Sequence, residues 1–429
     1  MGIIEKYGAL IEKTALNHSG RARAMMRIGL LYERTRLAIQ RGEQPPAALN
    51  KLNRIAIRSV AKALGDPKNA VWVNLFAPTE LFQSFGLTPM SIEVFTAFSG
   101  GFHIEDFLLR RAESIGMSDT LCSYHKGFIG AADAGLIEVP CATCTTTLAC
   151  DGNANTFRYL SARSGDEAFI LDIPYESSKV TVSYVAAQLE ELVKMLEKRT
   201  GRRFDENALS ASLARENESR ELNEACLVLQ AKKDYPATLT LHMFKLFASH
   251  LLSGSEDVLQ YYRDLYKDLK GRPDTEAMKI LWIHLMPYFQ PTLKEYFNYN
   301  AKYRIVASDF DFDYGFGERL DVNRPLEALA KKMVDNIYNG PYERKTAAAI
   351  KAAEALGVDG VIHFCHWGCK QSAGGAAEMK RAFDEAGHPF LILDGDGVDK
   401  RNDSDGQIRT RSEAFFEMIE ARKSSEAQE

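Results

Sequence analysis

The chain is poor in several features, and each shortage excludes something. No apolar run approaches the roughly 18 residues that a membrane span needs. The opening stretch, residues 1–14, is amphipathic and charged, without the basic and apolar regions of a secretory signal. No GxxxxGK[ST] phosphate loop and no strand-linked GxGxxG is present, so the chain is not expected to hydrolyse ATP itself. Charge of one sign is scarce: the net charge is −5 over 429 residues, which gives no pull toward nucleic acid or an anionic membrane. Cysteine is scarce too. The seven cysteines are odd in number and unevenly spaced, which argues against a disulfide framework and for thiols used in metal or redox chemistry. The expected compartment is the cytoplasm.

The sequence nevertheless has ample material for a core. Hydrophobic residues make up 45% and charged residues 26%, ordinary for a globular protein. The length suggests two or three domains. Residues 1–68 read as an N-terminal helical extension, broken near Glu43-Gln44-Pro45-Pro46. Residues 69–176 read as a first α/β lobe. Strand-like runs at 71–75, 90–95 and 168–172 alternate there with helical stretches, the signature of a parallel sheet covered by helices. Residues 177–300 carry long helical periodicities at 182–200, 207–232, 239–252 and 254–270. Residues 301–429 read as a second α/β lobe, with a strand at 360–364, a helix at 374–386 and a strand at 389–394. A helix over 412–421 closes it, and the tail from Arg422 is expected to fray. The expected fold is thus two flavodoxin-like parallel-sheet lobes plus a helical segment.

The two lobes correspond internally. Thr145 to Cys150, a helix, and then residues 169–174 match Val361 to Cys369, a helix, and residues 390–395. Each has a strand, a cysteine beyond its carboxyl end, a helix, and a strand reaching an aspartate. Ligands of open parallel sheets sit outside the carboxyl ends of strands, so Cys150 and Cys369 are expected to face one crevice.

Cys226, inside a helical pattern, fits a small buried hydrophobe. The other six, Cys122, Cys141, Cys144, Cys150, Cys365 and Cys369, fall near strand ends or before helices. A thiolate there is stabilised by free amides and the helix dipole. Cys141-Ala142-Thr143-Cys144 is a CxxC, but Cys365 to Cys369 is looser than a zinc knuckle, and six thiols exceed the four ligands of zinc. Spacing alone therefore leaves iron–sulfur ligation ahead of zinc, with buried structural thiols third. His125, His363 and His366 lie beside these cysteines. His363, within a strand run, is read as packing, and the other two could serve cluster sulfurs or protons. Residues 394–399, Asp-Gly-Asp-Gly-Val-Asp, lack the spacing and terminal glutamate of an EF-hand and are read as turn and capping groups.

Several motifs resemble one family. Thr120-Leu121-Cys122-Ser123-Tyr124-His125-Lys126, Leu148-Ala149-Cys150-Asp151-Gly152-Asn153, residues 171–176, His366-Trp367-Gly368-Cys369-Lys370-Gln371, residues 393–396 and residues 406–411 are similar to the 2-hydroxyacyl-CoA dehydratase and benzoyl-CoA reductase superfamily. The resemblance spans residues 71–419. It implies a [4Fe–4S] cluster in the crevice between lobes, with Cys122, Cys150 and Cys369 at the usual ligand positions. It implies a separate ATP-hydrolysing iron–sulfur activator as electron donor. It also implies oxygen-sensitive, ketyl-radical dehydration of an (R)-2-hydroxyacyl-CoA to a 2-enoyl-CoA, in a heterodimer with a related subunit. Cys141, Cys144 and Cys365 depart from that three-cysteine pattern. Six ligands would suit a double-cubane [8Fe–9S] cluster, found in a homodimeric branch of the superfamily that reduces small molecules. A cluster-bearing or zinc-stabilised binding protein without turnover is the third alternative. Glu80 and Ser84 are possible proton acceptors that nothing in the sequence separates.

Overall fold

The computed structural model describes residues 2–39 and 45–426, so part of the expected break at residues 43–46 and the last three residues of the tail lie outside the described residues. Eight strands form two four-stranded parallel sheets. β1 (Ala70–Val73), β2 (Thr88–Ser91), β3 (Ala142–Thr146) and β4 (Phe169–Leu171) build the first, in the order β2-β1-β3-β4. β5 (Met278–Ile283), β6 (Tyr303–Ser308), β7 (Gly360–His366) and β8 (Phe390–Gly395) build the second, in the order β6-β5-β7-β8. Taken within each lobe the two orders are the same, 2-1-3-4, which is the flavodoxin-like arrangement expected from the alternating pattern.

These runs become parallel strands because both their faces are covered. β1 is Ala-Val-Trp-Val and β7 is Gly-Val-Ile-His-Phe-Cys-His, buried at every position. Fully burying one Val, Leu or Phe side chain contributes about 1.5–3 kcal/mol. Pro89 is tolerated because β2 is an edge strand, where a missing N–H breaks no ladder. On one side of the second sheet, Trp282, Ile362, Phe364 and Leu393 pack on Phe297, Phe415 and Phe416. Its other side joins the large core shared with the first lobe and the central helices.

Three readings from the sequence differ from the structure. Residues 90–95 are not one strand: β2 stops at Ser91, whose hydroxyl accepts from the amides of Glu93 and Val94 and caps the helix Ile92–Gly100. The second sheet starts before residue 301, because the apolar run Met278–Ile283 inside the supposed helical region is β5. The closing helix is Asp405–Glu426, longer at both ends than 412–421, so residues 422–426 continue the helix rather than fray. The long helices Lys179–Thr200, Glu206–Gln230, Leu239–Leu251 and Glu256–Lys270 are where the 3.6-residue period placed them.

Candidate metal centre

Residues at or beyond the carboxyl ends of β3, β5 and β7 gather around the expected crevice, with Cys122 of the first lobe against His366 of the second. Three cysteines reach it, each at the N-cap of a helix: Cys122 before Ser123–Asp133, Cys150 before Asp151–Ser164, and Cys369 before Lys370–Ala373. The chain is bent sharply to put two of them there. Ala149 (φ 66°) and Gly368 (φ 74°), the residues just before Cys150 and Cys369, both take the left-handed conformation. Only glycine serves at position 368. A Cβ there would meet Thr120 O at 2.6 Å and Cys122 N at 2.9 Å. That close approach also packs the Cys369 loop directly on the Cys122 loop.

The sulfurs are near enough to feel one another. Burial pushes the Cys122 thiol well above its ordinary value, and Cys369 and Cys150 push it further. Burial raises Cys150 to about 12, with Cys369 again adding to the rise. Only as thiolates would three sulfurs this close be stabilised by a positive group between them.

Each sulfur also faces an imidazole. Cys122 Sγ lies 3.3 Å from His366 Nε2, Cys150 Sγ 3.6 Å from His125 Nε2, and Cys369 Sγ 3.6 Å from His284 Nε2. All three rings are buried, and burial lowers their pKa values, to about 4 for His125 and well below the ordinary value for His284. His284 escapes a reading of the sequence. It directly follows β5, has φ 76°, and its amide donates to Asp309 Oδ1 at 2.8 Å. The usable signal is a polar residue immediately after an apolar strand. Asn74 sits likewise after β1, where its side chain ties β1 to Thr146 of β3.

Of the remaining cysteines, Cys365 neighbours Cys369 and the others lie elsewhere. Cys141 stands just before β3, its amide within reach of the Pro67 and Ala70 carbonyls, at the opposite end of the strand from Cys150. Cys144 is in the middle of β3, fully buried in the core. Cys365 is buried in β7, its thiol 3.8 Å from the Ser372 carbonyl and near enough to Cys369 for that thiol to add to the rise that burial gives it. Cys226 packs in a helix as a small hydrophobe. His363 is fully buried beside Phe390.

A seam of polar contacts closes the lobes around the crevice. Ser123 Oγ donates to Asp396 Oδ1 at 2.5 Å, and Asp396 Oδ1 accepts from the amides of Val398 and Asp399. The aspartates after β8 are thus turn-capping groups. Arg401 grips Glu113 with both guanidinium nitrogens, and buried Lys126 holds Glu113 at 3.0 Å. Glu80 is not in the crevice. It is fully buried with Lys332 and Glu216.

Among the described residues, no three His, Cys, Asp or Glu side chains converge so as to hold one metal ion. Structural zinc needs four ligands converged on a point. An iron–sulfur cluster spreads its thiolates over separate irons, and three neighbouring, partly buried cysteines suit that donor pattern.

Residues 74–419 match the family model described as 2-hydroxyglutaryl-CoA dehydratase, D-component. The chain belongs to that family. It is 24% identical to the (R)-phenyllactyl-CoA dehydratase alpha subunit of Clostridium sporogenes, over 74% of this chain and 82% of that one. It is 23% identical to the (R)-2-hydroxyisocaproyl-CoA dehydratase alpha subunit of Clostridioides difficile, over 84% of this chain and 93% of that one. One component of the benzoyl-CoA reductase of Thauera aromatica is 24% identical, over 74% of this chain and 81% of that one. This member of the dehydratase family is an enzyme component of the dehydratase, lyase type. Among its described residues no helix is long and apolar enough to cross a membrane.

Proposed function

We propose that this chain is the cluster-bearing component of an (R)-2-hydroxyacyl-CoA dehydratase, working beside a related subunit. The observation that carries the reading is the meeting of Cys122, Cys150 and Cys369 in one partly buried place, each at the N-cap position of a helix and each facing an imidazole. These three would hold a [4Fe–4S] cluster. When bound, that group supplies a low-potential electron, received from an ATP-hydrolysing iron–sulfur activator, with which a substrate thioester becomes a ketyl radical anion able to expel hydroxide. The chain's own part is to fix the irons from both lobes and to keep water out of a crevice walled by buried side chains. The alpha and beta subunit names of the relatives support a related partner chain. The positions of Cys141 and Cys144, along and behind β3, favour three ligands over the six of a double cubane.

Iron and acid-labile sulfide per chain, measured on protein purified without oxygen, test this. About four irons are expected, against about eight for a double cubane. Cys122→Ala, Cys150→Ala and Cys369→Ala should each lower the iron content. Cys141→Ala, Cys144→Ala and Cys365→Ala should keep it. Zinc without sulfide would overturn the reading.

A further inference from the structure

The three Cys–His pairs do more than pack. We infer that the imidazoles of His366 and His284 are positioning residues that donate an N–H to the sulfurs of Cys122 and Cys369, and so hold the reduction potential of the bound cluster higher than the thiolates alone would. This rests on the cluster reading above and deepens it.

The tautomers follow from the partners. Gly397 N–H donates to His366 Nδ1 at 2.9 Å, so Nδ1 carries a lone pair and the proton is on Nε2. Nε2 is the atom 3.3 Å from Cys122 Sγ. The ring is held in place by Tyr124, 5.3 Å between centroids, and its backbone amide donates to Ser372 Oγ. This pair also crosses the lobes, since Cys122 belongs to the first and His366 to the second. His284 reaches the same state by another route. Its Nδ1 is buried without a partner. A proton there would be an orphaned donor, which is rarer and costlier than an unused lone pair. The proton therefore belongs on Nε2, 3.6 Å from Cys369 Sγ. Two neutral donors thus point at two thiolates from fixed positions.

A hydrogen bond to a ligating sulfur withdraws electron density and favours the reduced, more negative cluster. Both imidazoles are buried and the contacts partly so, which limits how far water dilutes this effect. The donors come from the second lobe, one of them across the lobe boundary, so the potential is tied to the closed arrangement of the two lobes.

The test is a redox titration, followed by electron paramagnetic resonance, of anaerobically loaded protein with iron and sulfide counted beside it. His366→Phe keeps the ring's bulk and removes the donor. It should leave iron and sulfide unchanged and lower the midpoint by about 59 mV, a tenfold change in the one-electron equilibrium. His366→Gln, which restores an N–H, should recover part of that shift. His284→Leu reads the second donor and keeps the test alive where His366→Phe fails to load. A midpoint equal to that of the unsubstituted protein in the loaded variants would overturn the inference alone. An unsubstituted chain without iron and sulfide would overturn the cluster reading and this inference together.

Discussion

A single backbone position governs how two of the three thiols meet. Gly368 has φ 74° and lies against the Thr120 carbonyl and the Cys122 amide. Gly368→Ala should lose about 1–2 kcal/mol from the left-handed backbone alone, and the collision adds to that because both contacted atoms are main chain. Gly387 is the natural control, with φ 78° and open space around it. Gly387→Ala should show only the backbone loss in urea unfolding, and full iron. Gly368→Ala should show the larger loss together with reduced iron. Equal behaviour of the two variants would mean that the close approach of the loops is unimportant.

Between elements, the most concentrated polar contact lies away from the crevice. Lys332, on the helix Pro325–Val334, pairs with Glu80 of the helix Thr79–Ser84 and with Glu216 of the helix Glu206–Gln230, the latter at 2.7 Å. Arg220 holds Glu216 as well, and the Lys332 ammonium sits 4.2 Å from the Tyr314 ring centre. Burial raises Glu80 to about 7 even against the pull of Lys332. Three segments from the first lobe, the central helices and the second half of the chain are joined there. Lys332→Met should cost about 3–5 kcal/mol, read by urea unfolding, because it strands buried carboxylates. The sequence showed the elements well and this junction not at all. Alternation and the 3.6-residue period mark strands and helices locally, but Glu80, Glu216 and Lys332 are more than 100 residues apart, and nothing local pairs them. The cysteines were half legible. Strand ends and helix starts marked Cys122, Cys150 and Cys369, while the same spacing rules also admitted Cys141, Cys144 and Cys365, whose place along a strand only the register reveals. β5 is a six-residue run inside a region read as helical, so it was missed, and with it His284.

For the whole molecule, the lobes are held by charges at their seam. Arg401 lowers the Glu113 pKa from 4.5 to about 2, chiefly by its hydrogen bond. Because the folded value lies below the unfolded one, the pair's contribution is complete above pH 4.5 and is lost as pH falls toward about 2. Glu113→Gln should flatten the loss of stability in that window, measured as urea midpoints at stepped pH. The contact is partly exposed, so the change should also shrink with added salt. An acid limb unchanged by the substitution would place the acid sensitivity elsewhere.

The two sheets share one strand order, and the crevice draws its thiols from both. Cys122 and Cys150 emerge during translation long before Cys369, which follows more than 200 residues later. At about 5–20 residues per second that interval lasts on the order of 10–45 s. During it the first lobe can fold with its sheet complete while two of its thiols remain unoccupied at helix starts. Under the proposed function, the three sulfurs cannot be brought together before Cys369 has emerged and the lobes have docked.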